Sequence, residues 1–367
     1  WRLFCLGGQH YRYDEEGYYK PWDGVKIKKL VLDWSNGNAT VSQLENLVKR
    51  LEIETATDPE EVNPVGWLNT LSGIINPETG EIVPHTPDML FTIQIPVGCV
   101  APPGENPRRP NCPRFYKFLE DALPDPAQRN TAWEILGYCL TTDCRLEIAI
   151  ILFGGGSNGK TVFLNILRAM LRGLVSELRL SDLSHSYRPA MLLNKLVNIS
   201  AEGEAVDLID DAVVKSIISG EPLTVEQKYR DPVVIKPFCK LVIATNHLPR
   251  SRDKSRGYFR RWLILHFEQE IPEDRQDKQL SQTIIESELD EIFYGALLGL
   301  RRLRERGGCT VPESSKAILD EYEKMTNPAL TFIEEHLAIV PQGNEYLQDI
   351  YFKYLSWSLP ISFKINL

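Results

Sequence analysis

Long apolar runs are missing from this 367-residue chain. No stretch approaches the roughly 18 consecutive apolar residues that a membrane span requires, and no basic-then-apolar leader opens it, so no membrane partner is expected. Paired cysteines are missing as well. Cys5, Cys99, Cys112, Cys139, Cys144, Cys239 and Cys309 are scattered and odd in number, without one Cys-x-x-Cys. A zinc site is therefore not expected, and unpaired thiols suit an intracellular, cytoplasmic protein. Positive charge is scarce overall: 41 Lys and Arg stand against 50 Asp and Glu, a formal net charge of −9. Taken alone, that balance argues against a polyanion as partner. Internal repeats and low-complexity tracts are also lacking. The chain opens on Trp1 rather than Met, which reads as a fragment of something longer.

What is present qualifies the charge argument. Between Lys215 and Arg261 lie eleven Lys and Arg, against only Glu221, Glu226, Asp231 and Asp253. A basic surface on an acidic protein suits a molecule that grips a polyanion in one place. Hydrophobic residues make up 43% and charged residues 25%, ordinary values for globular domains, and the length allows two or three of them. Four regions are expected. Residues 1–60 hold aromatics and a helical run at 41–51. Residues 61–146 begin with short strands broken by turns and pass through a proline-rich connector to helices at 115–123 and 127–140. Residues 147–305 alternate strands and helices, with a helical run at 284–304, and residues 306–367 are a helical C-terminal segment with an amphipathic stretch at 312–337.

The strongest chemical signal is Gly154-Gly155-Gly156-Ser157-Asn158-Gly159-Lys160-Thr161, which fits G-x-x-x-x-G-K-[ST]. It follows the apolar strand pattern of 148–153 and precedes the helical pattern of 161–174, as a P-loop requires. Glycines let the backbone curl its N–H groups toward a phosphate at a helix N-terminus. Lys160 is expected on the β- and γ-phosphates, and the Thr161 hydroxyl on Mg²⁺. The expected cofactors are ATP and Mg²⁺.

Such a loop needs carboxylates to help hold the metal and to activate water. The strand pattern 196–200 runs into Glu202 and Glu204, which lie on one side if the strand stays extended. Either one suits the base, and Glu202 is the candidate metal partner. A third strand, 241–245, ends at Asn246, whose amide suits the γ-phosphate or the attacking water. Two β-rich runs flank Lys228, Tyr229 and Arg230, a hairpin tip with the cation-plus-ring pairing that tracks single-stranded nucleic acid. Arg260 and Arg261 enter another apolar strand, a placement that suits an arginine finger reaching a neighbouring subunit's phosphate.

In this order, and with Lys215 to Glu221, Lys228-Tyr229 and Ala244 to Pro249 as its most specific stretches, the chain resembles a superfamily 3 helicase of the poxvirus-type primase-helicase group. Gly73-Ile74-Ile75, Thr79-Gly80-Glu81, His85-Thr86-Pro87, Cys112 to Phe115 and Gly137-Tyr138 resemble the domain that precedes the helicase there. Coverage is about residues 65–325. Two departures are Ser72, where many relatives have Asn, and Gly203, which separates glutamates that are adjacent in several viral relatives. The resemblance implies an α/β fold: an AAA+-like αβα P-loop ATPase core, a preceding mixed α+β and helical collar domain, and a short C-terminal segment that could begin a winged helix. It also implies a homo-hexameric ring with shared ATP sites, Arg261 (or Arg260) completing the neighbour's site, and single-stranded or forked DNA as partner, with a primase often attached. The activity implied is ATP-dependent DNA unwinding in phage, plasmid or mobile-element replication. An origin-melting ATPase without processive unwinding is the alternative, and a P-loop kinase a more distant one.

Overall fold

The computed structural model describes residues 2–98, 104, 107–185, 187–202, 211–227, 230–249, 251, 253–338 and 345–365. Its first element is one that the sequence did not announce. Strands β1 (Leu3–Leu6), β2 (Gln9–Tyr13) and β3 (Tyr19–Pro21) form an antiparallel sheet in that order. Leu6 pairs with Gln9, leaving Gly7 and Gly8 as a two-residue turn with φ of +55° and +77°. Positive φ at both central positions matches the right-handed twist of a hairpin. One face carries Phe4, Tyr11 and Tyr19, with the Phe4 and Tyr11 rings stacked at 5.0 Å.

Helix α1 (Gly24–Trp34) starts where the Asp23 carboxylate accepts from the Lys26 N–H. Helix α2 (Val41–Glu54) starts at a Thr40–Gln43 capping box. The turn-rich region forms the expected short strands, β4 (Leu68–Thr70), β5 (Gly73–Ile75) and β6 (Ile82–Val83). Gly73 has φ +137°, and a Cβ there would lie 2.8 Å from the Val83 carbonyl oxygen, so glycine is required. Helices α3 (Pro113–Ala122) and α4 (Pro126–Cys139) follow.

The next elements are β7 (Ala149–Phe153), α5 (Lys160–Met170), β8 (Val175–Ser176), β9 (Val197–Glu202), α6 (Asp211–Ser219), the hairpin β10 (Leu223–Gln227) and β11 (Arg230–Ile235), β12 (Lys240–Thr245), α7 (Arg256–Phe259) and β13 (Trp262–His266). Five of the strands make one sheet in the order β13-β7-β12-β9-β8, each pair of neighbours parallel. All six residues of β12 are buried, and the four between Lys240 and Thr245 are the apolar run of a parallel strand covered on both faces. Asn198, fully buried in β9, copies a peptide group: its Oδ1 accepts from the Leu178 N–H and its Nδ2 donates to the Leu178 carbonyl, both at 2.9 Å.

Helix α8 (Leu280–Arg306) joins this core to the helices before it. A Cβ on Gly137 of α4 would lie 2.4 Å from the Ala296 carbonyl oxygen, and one on Gly299 of α8 would lie 2.2 Å from that of Trp133. The two backbones touch where side chains would hold them apart. Buried Glu288 accepts from the Arg114 and Phe115 N–H groups and so caps α3 from across the interface. The amphipathic stretch expected at 312–337 is split into α9 (Glu313–Thr326) and α10 (Pro328–His336), because Pro328 has no N–H with which to continue a helix. Residues 346–367, a candidate winged-helix start, form one helix among the described residues, α11 (Leu347–Ile365), which packs on α10 through Phe332 and Trp357.

Candidate active site

Parallel strands deliver their carboxyl ends to one edge, where α/β proteins bind ligands. Register places Glu202 of β9, Thr245 of β12, Phe153 of β7 and His266 of β13 side by side on that edge. The glycine-rich loop leaves β7 there. Gly154 has φ +151°, and a Cβ on it would lie 2.2 Å from the Phe267 carbonyl oxygen and 2.5 Å from Asn158 Nδ2. Gly159 has φ +94°, and its Cβ would meet the Phe118 ring of α3 at 2.8 Å. Gly155 and Gly156 face open space. The loop is clamped on one side and open on the other, which is the shape of a cradle.

Its residues divide the work. Asn158 is buried and turned inward, with Nδ2 donating to the Gly155 and Phe267 carbonyls at 2.9 Å each. It braces the loop and does not face the open side. Ser157 is exposed at φ +53°, and its carbonyl accepts from the Ile271 N–H. Thr161 is exposed in the first turn of α5, where a helix N-terminus favours anions. The Lys160 ammonium lies 2.6 Å from the carbonyls of Gly154 and Gly155, 3.1 Å from Asn158 Oδ1 and 3.2 Å from Asn246 Oδ1. An ammonium has three N–H donors, so four neutral oxygens share them. Among the described residues no carboxylate pairs with it, and burial pushes its pKa down. Among the described residues this cation has no anionic partner, and the phosphates of a nucleotide fit that place.

Lys160 and Asn246 are thus brought together, although 86 positions separate them in the chain. Glu202 ends β9 in register with Thr245, one residue before Asn246; its side chain lies outside the described residues, as does the whole of Glu204. The hairpin is present. Gln227 pairs with Arg230, and Lys228 and Tyr229 lie outside the described residues, as does the Arg230 side chain. Among the described residues no cluster of three or more His, Cys, Asp or Glu is placed to hold a metal ion, and no helix is long and apolar enough to cross a membrane.

Arg260 and Arg261 sit at the other edge of the sheet. They precede β13, whose Trp262 is in register with Ala149, the first residue of β7. The P-loop begins after the last residue of β7. Five strand residues at about 3.3 Å each separate the pair from the loop by on the order of 16 Å, further than an arginine side chain spans. Both guanidinium groups lie against Glu147 Oε2, at 3.4 Å for Arg260 and 3.2 Å for Arg261. Arg261 also donates to the Gly257 carbonyl and is largely buried, whereas Arg260 is exposed. Sequence reasoning missed Glu147 and the Phe267 carbonyl; neither belongs to a motif, and only packing reveals them.

Comparison with known proteins bears on both halves. Residues 6–124 match a family described as D5 N terminal like. Residues 152–261 match a family of unknown function, DUF5906. The first match reaches back over the N-terminal sheet, beyond the residue-65 limit expected of the resemblance. These matches support the resemblance to a phage-type primase-helicase of superfamily 3. It is 24% identical over 279 residues to L207/L206 of Acanthamoeba polyphaga mimivirus, provisionally named a helicase; the match spans 72% of this chain and 28% of that protein's length. Two solved apo structures of the NrS-1 C-terminal region share the fold. One covers 97% of this chain and 82% of its own, with a TM-score of 0.58 and 16% identity; the other covers 91% and 77%, with a TM-score of 0.57 and 16% identity.

Proposed function

We propose that this chain is the ATP-driven motor of a DNA helicase, working as a ring with nucleotide held between neighbouring copies, on single-stranded or forked DNA. One observation carries the reading. The phosphate cradle and the arginine pair stand at opposite edges of the same sheet, so an arginine that serves a phosphate must serve another copy's. An αβα core of the AAA+ type fits this arrangement, with the P-loop strand lying between the Asn246 strand and the arginine strand. The helicase name of the mimivirus relative and the D5-type match support the DNA substrate, and the basic stretch 215–261 supplies the charge that phosphate contacts need.

Hydrolysis of ATP would supply the free energy, and Mg²⁺, which Thr161 and Glu202 would hold, would offset the phosphate charge. The chain's own groups do the rest. Lys160 exchanges its carbonyl contacts for phosphate oxygens, and Asn246 orients water or phosphate from the adjoining strand tip. Glu202 or Glu204 takes the water's proton. The hairpin tip, Lys228 to Arg230, holds the strand by phosphate contact and stacking. Strand displacement from a forked duplex tests the reading, alongside ATPase assays with and without single-stranded DNA. DNA-stimulated turnover with displacement is expected. Turnover without displacement favours origin melting, and turnover by a lone protomer indifferent to DNA overturns the proposal.

A further inference from the structure

Glu147 lies three residues before the P-loop strand's second residue and belongs to no motif, yet its backbone is unusual. It is a non-glycine residue at φ +49°, with its N–H donating to the Cys144 carbonyl at 2.9 Å. Left-handed backbone at such a residue costs free energy and persists where the surroundings hold it, often beside functional groups. Here it aims one carboxylate oxygen at two guanidinium groups. The Ala149 N–H donates to the Arg261 carbonyl at 2.7 Å, so the backbone of the pair is pinned to β7 while both side chains converge on Glu147.

The two arginines are not equivalent. Arg261 has a side chain 15% exposed and a second bond, to the Gly257 carbonyl. Arg260 has a side chain 68% exposed, and its contact with Glu147 is the longer of the two, at 3.4 Å. Withdrawing Arg261 would break a carbonyl bond and empty a packed site. Withdrawing Arg260 breaks one exposed ion pair, which is weak in water. A triphosphate carries more charge than a carboxylate and accepts the planar fork of a guanidinium in the same way.

We propose that Arg260 is the arginine that reaches the adjoining copy, that Arg261 is its anchor, and that Glu147 is a positioning residue holding Arg260 at the sheet edge until the neighbour's phosphate replaces the carboxylate. The inference rests on the reading of a nucleotide site shared between copies. It reverses the order in which the resemblance ranks the two arginines.

The test uses the full chain with single-stranded DNA and compares Arg260→Ala, Arg261→Ala and Glu147→Gln. Arg260→Ala is expected to lose about a thousandfold in turnover, to melt as the parent does, and to regain activity when mixed with Lys160→Ala, which carries the opposite lesion. Arg261→Ala is expected to melt several degrees lower. In Glu147→Gln, the KM for ATP is expected to fall several-fold, because the carboxylate no longer competes with phosphate. Near-parental turnover of Arg260→Ala, with Arg261→Ala the variant that complements Lys160→Ala, overturns the assignment. An unchanged or raised KM in Glu147→Gln overturns the holding role. If neither arginine variant is complemented and a single protomer hydrolyses ATP, the shared-site reading itself fails, an outcome distinct from both.

Discussion

At the carboxyl edge of the five-stranded sheet the chain is bent by glycine. At the amino edge it is bent by Glu147, a residue that tolerates the same left-handed backbone poorly. At the carboxyl edge Lys160 lies, among the described residues, against neutral oxygens. At the amino edge the cations, Arg260 and Arg261, lie against a carboxylate. The contrast is instructive. In the proposed reading the cradle keeps its cation for phosphate, whereas the arginine pair rests on the shared Glu147 carboxylate until a neighbouring copy replaces it.

Lys160→Ala should break the comparison most severely. Removing the Lys160 cation from the cradle is expected to lower ATP turnover a thousandfold or more, by about the measure of a lost transition-state charge partner, as followed by phosphate release. Asn246→Ala comes next, with an expected loss on the order of a hundredfold in kcat and little change in KM, the pattern of a group that acts on the transition state. A loss confined to KM would reassign Asn246 to ground-state binding.

Asn158→Ala sharpens the comparison through stability. It leaves the Phe267 carbonyl without its side-chain donor and the Gly155 carbonyl with Lys160 alone, at a cost of about 1–3 kcal/mol, seen in denaturant unfolding; nucleotide should restore part of it by mass action. The smallest effect is expected on the crossover that carries the chain from one edge to the other. Burial alone would raise the Asp253 carboxyl, but the Lys215 ammonium and the Ser255 donors hold it at about 2, below its ordinary 3.8. A depressed carboxyl contributes stability above its unfolded pKa and loses it as pH falls through the folded one. Asp253→Asn should therefore cost about 1 kcal/mol at pH 7, after allowing for solvent screening. The difference from the parent should fade between about pH 4 and about pH 2, as read from melting curves.

The glycine-rich loop, the strands around it, the paired strands of the hairpin and the helices at 41–51, 115–123, 127–140 and 284–304 were legible because each depends on local rules: glycine spacing, apolar runs and helical period. The N-terminal sheet was less so. Its strands are short, and their aromatics carry no clear period, although Gly7-Gly8 between them was a turn signal that a closer reading would have used. The break at Asn327–Pro328 was likewise visible as a proline and passed over for the amphipathic pattern around it.

The sequence by itself determined the glycine-rich loop, since such a loop is a matter of which residues permit a tight left-handed turn before a helix. It also determined the strand ends that bear Glu202 and Asn246. Only the tertiary structure decided which groups meet. Strand order brought Asn246 to Lys160, put Phe267 under the loop, turned Asn158 inward, and set the arginine pair on the far edge against Glu147. Those outcomes depend on which strands are neighbours and which way they point, and residues far apart in the chain carry no local signal of either.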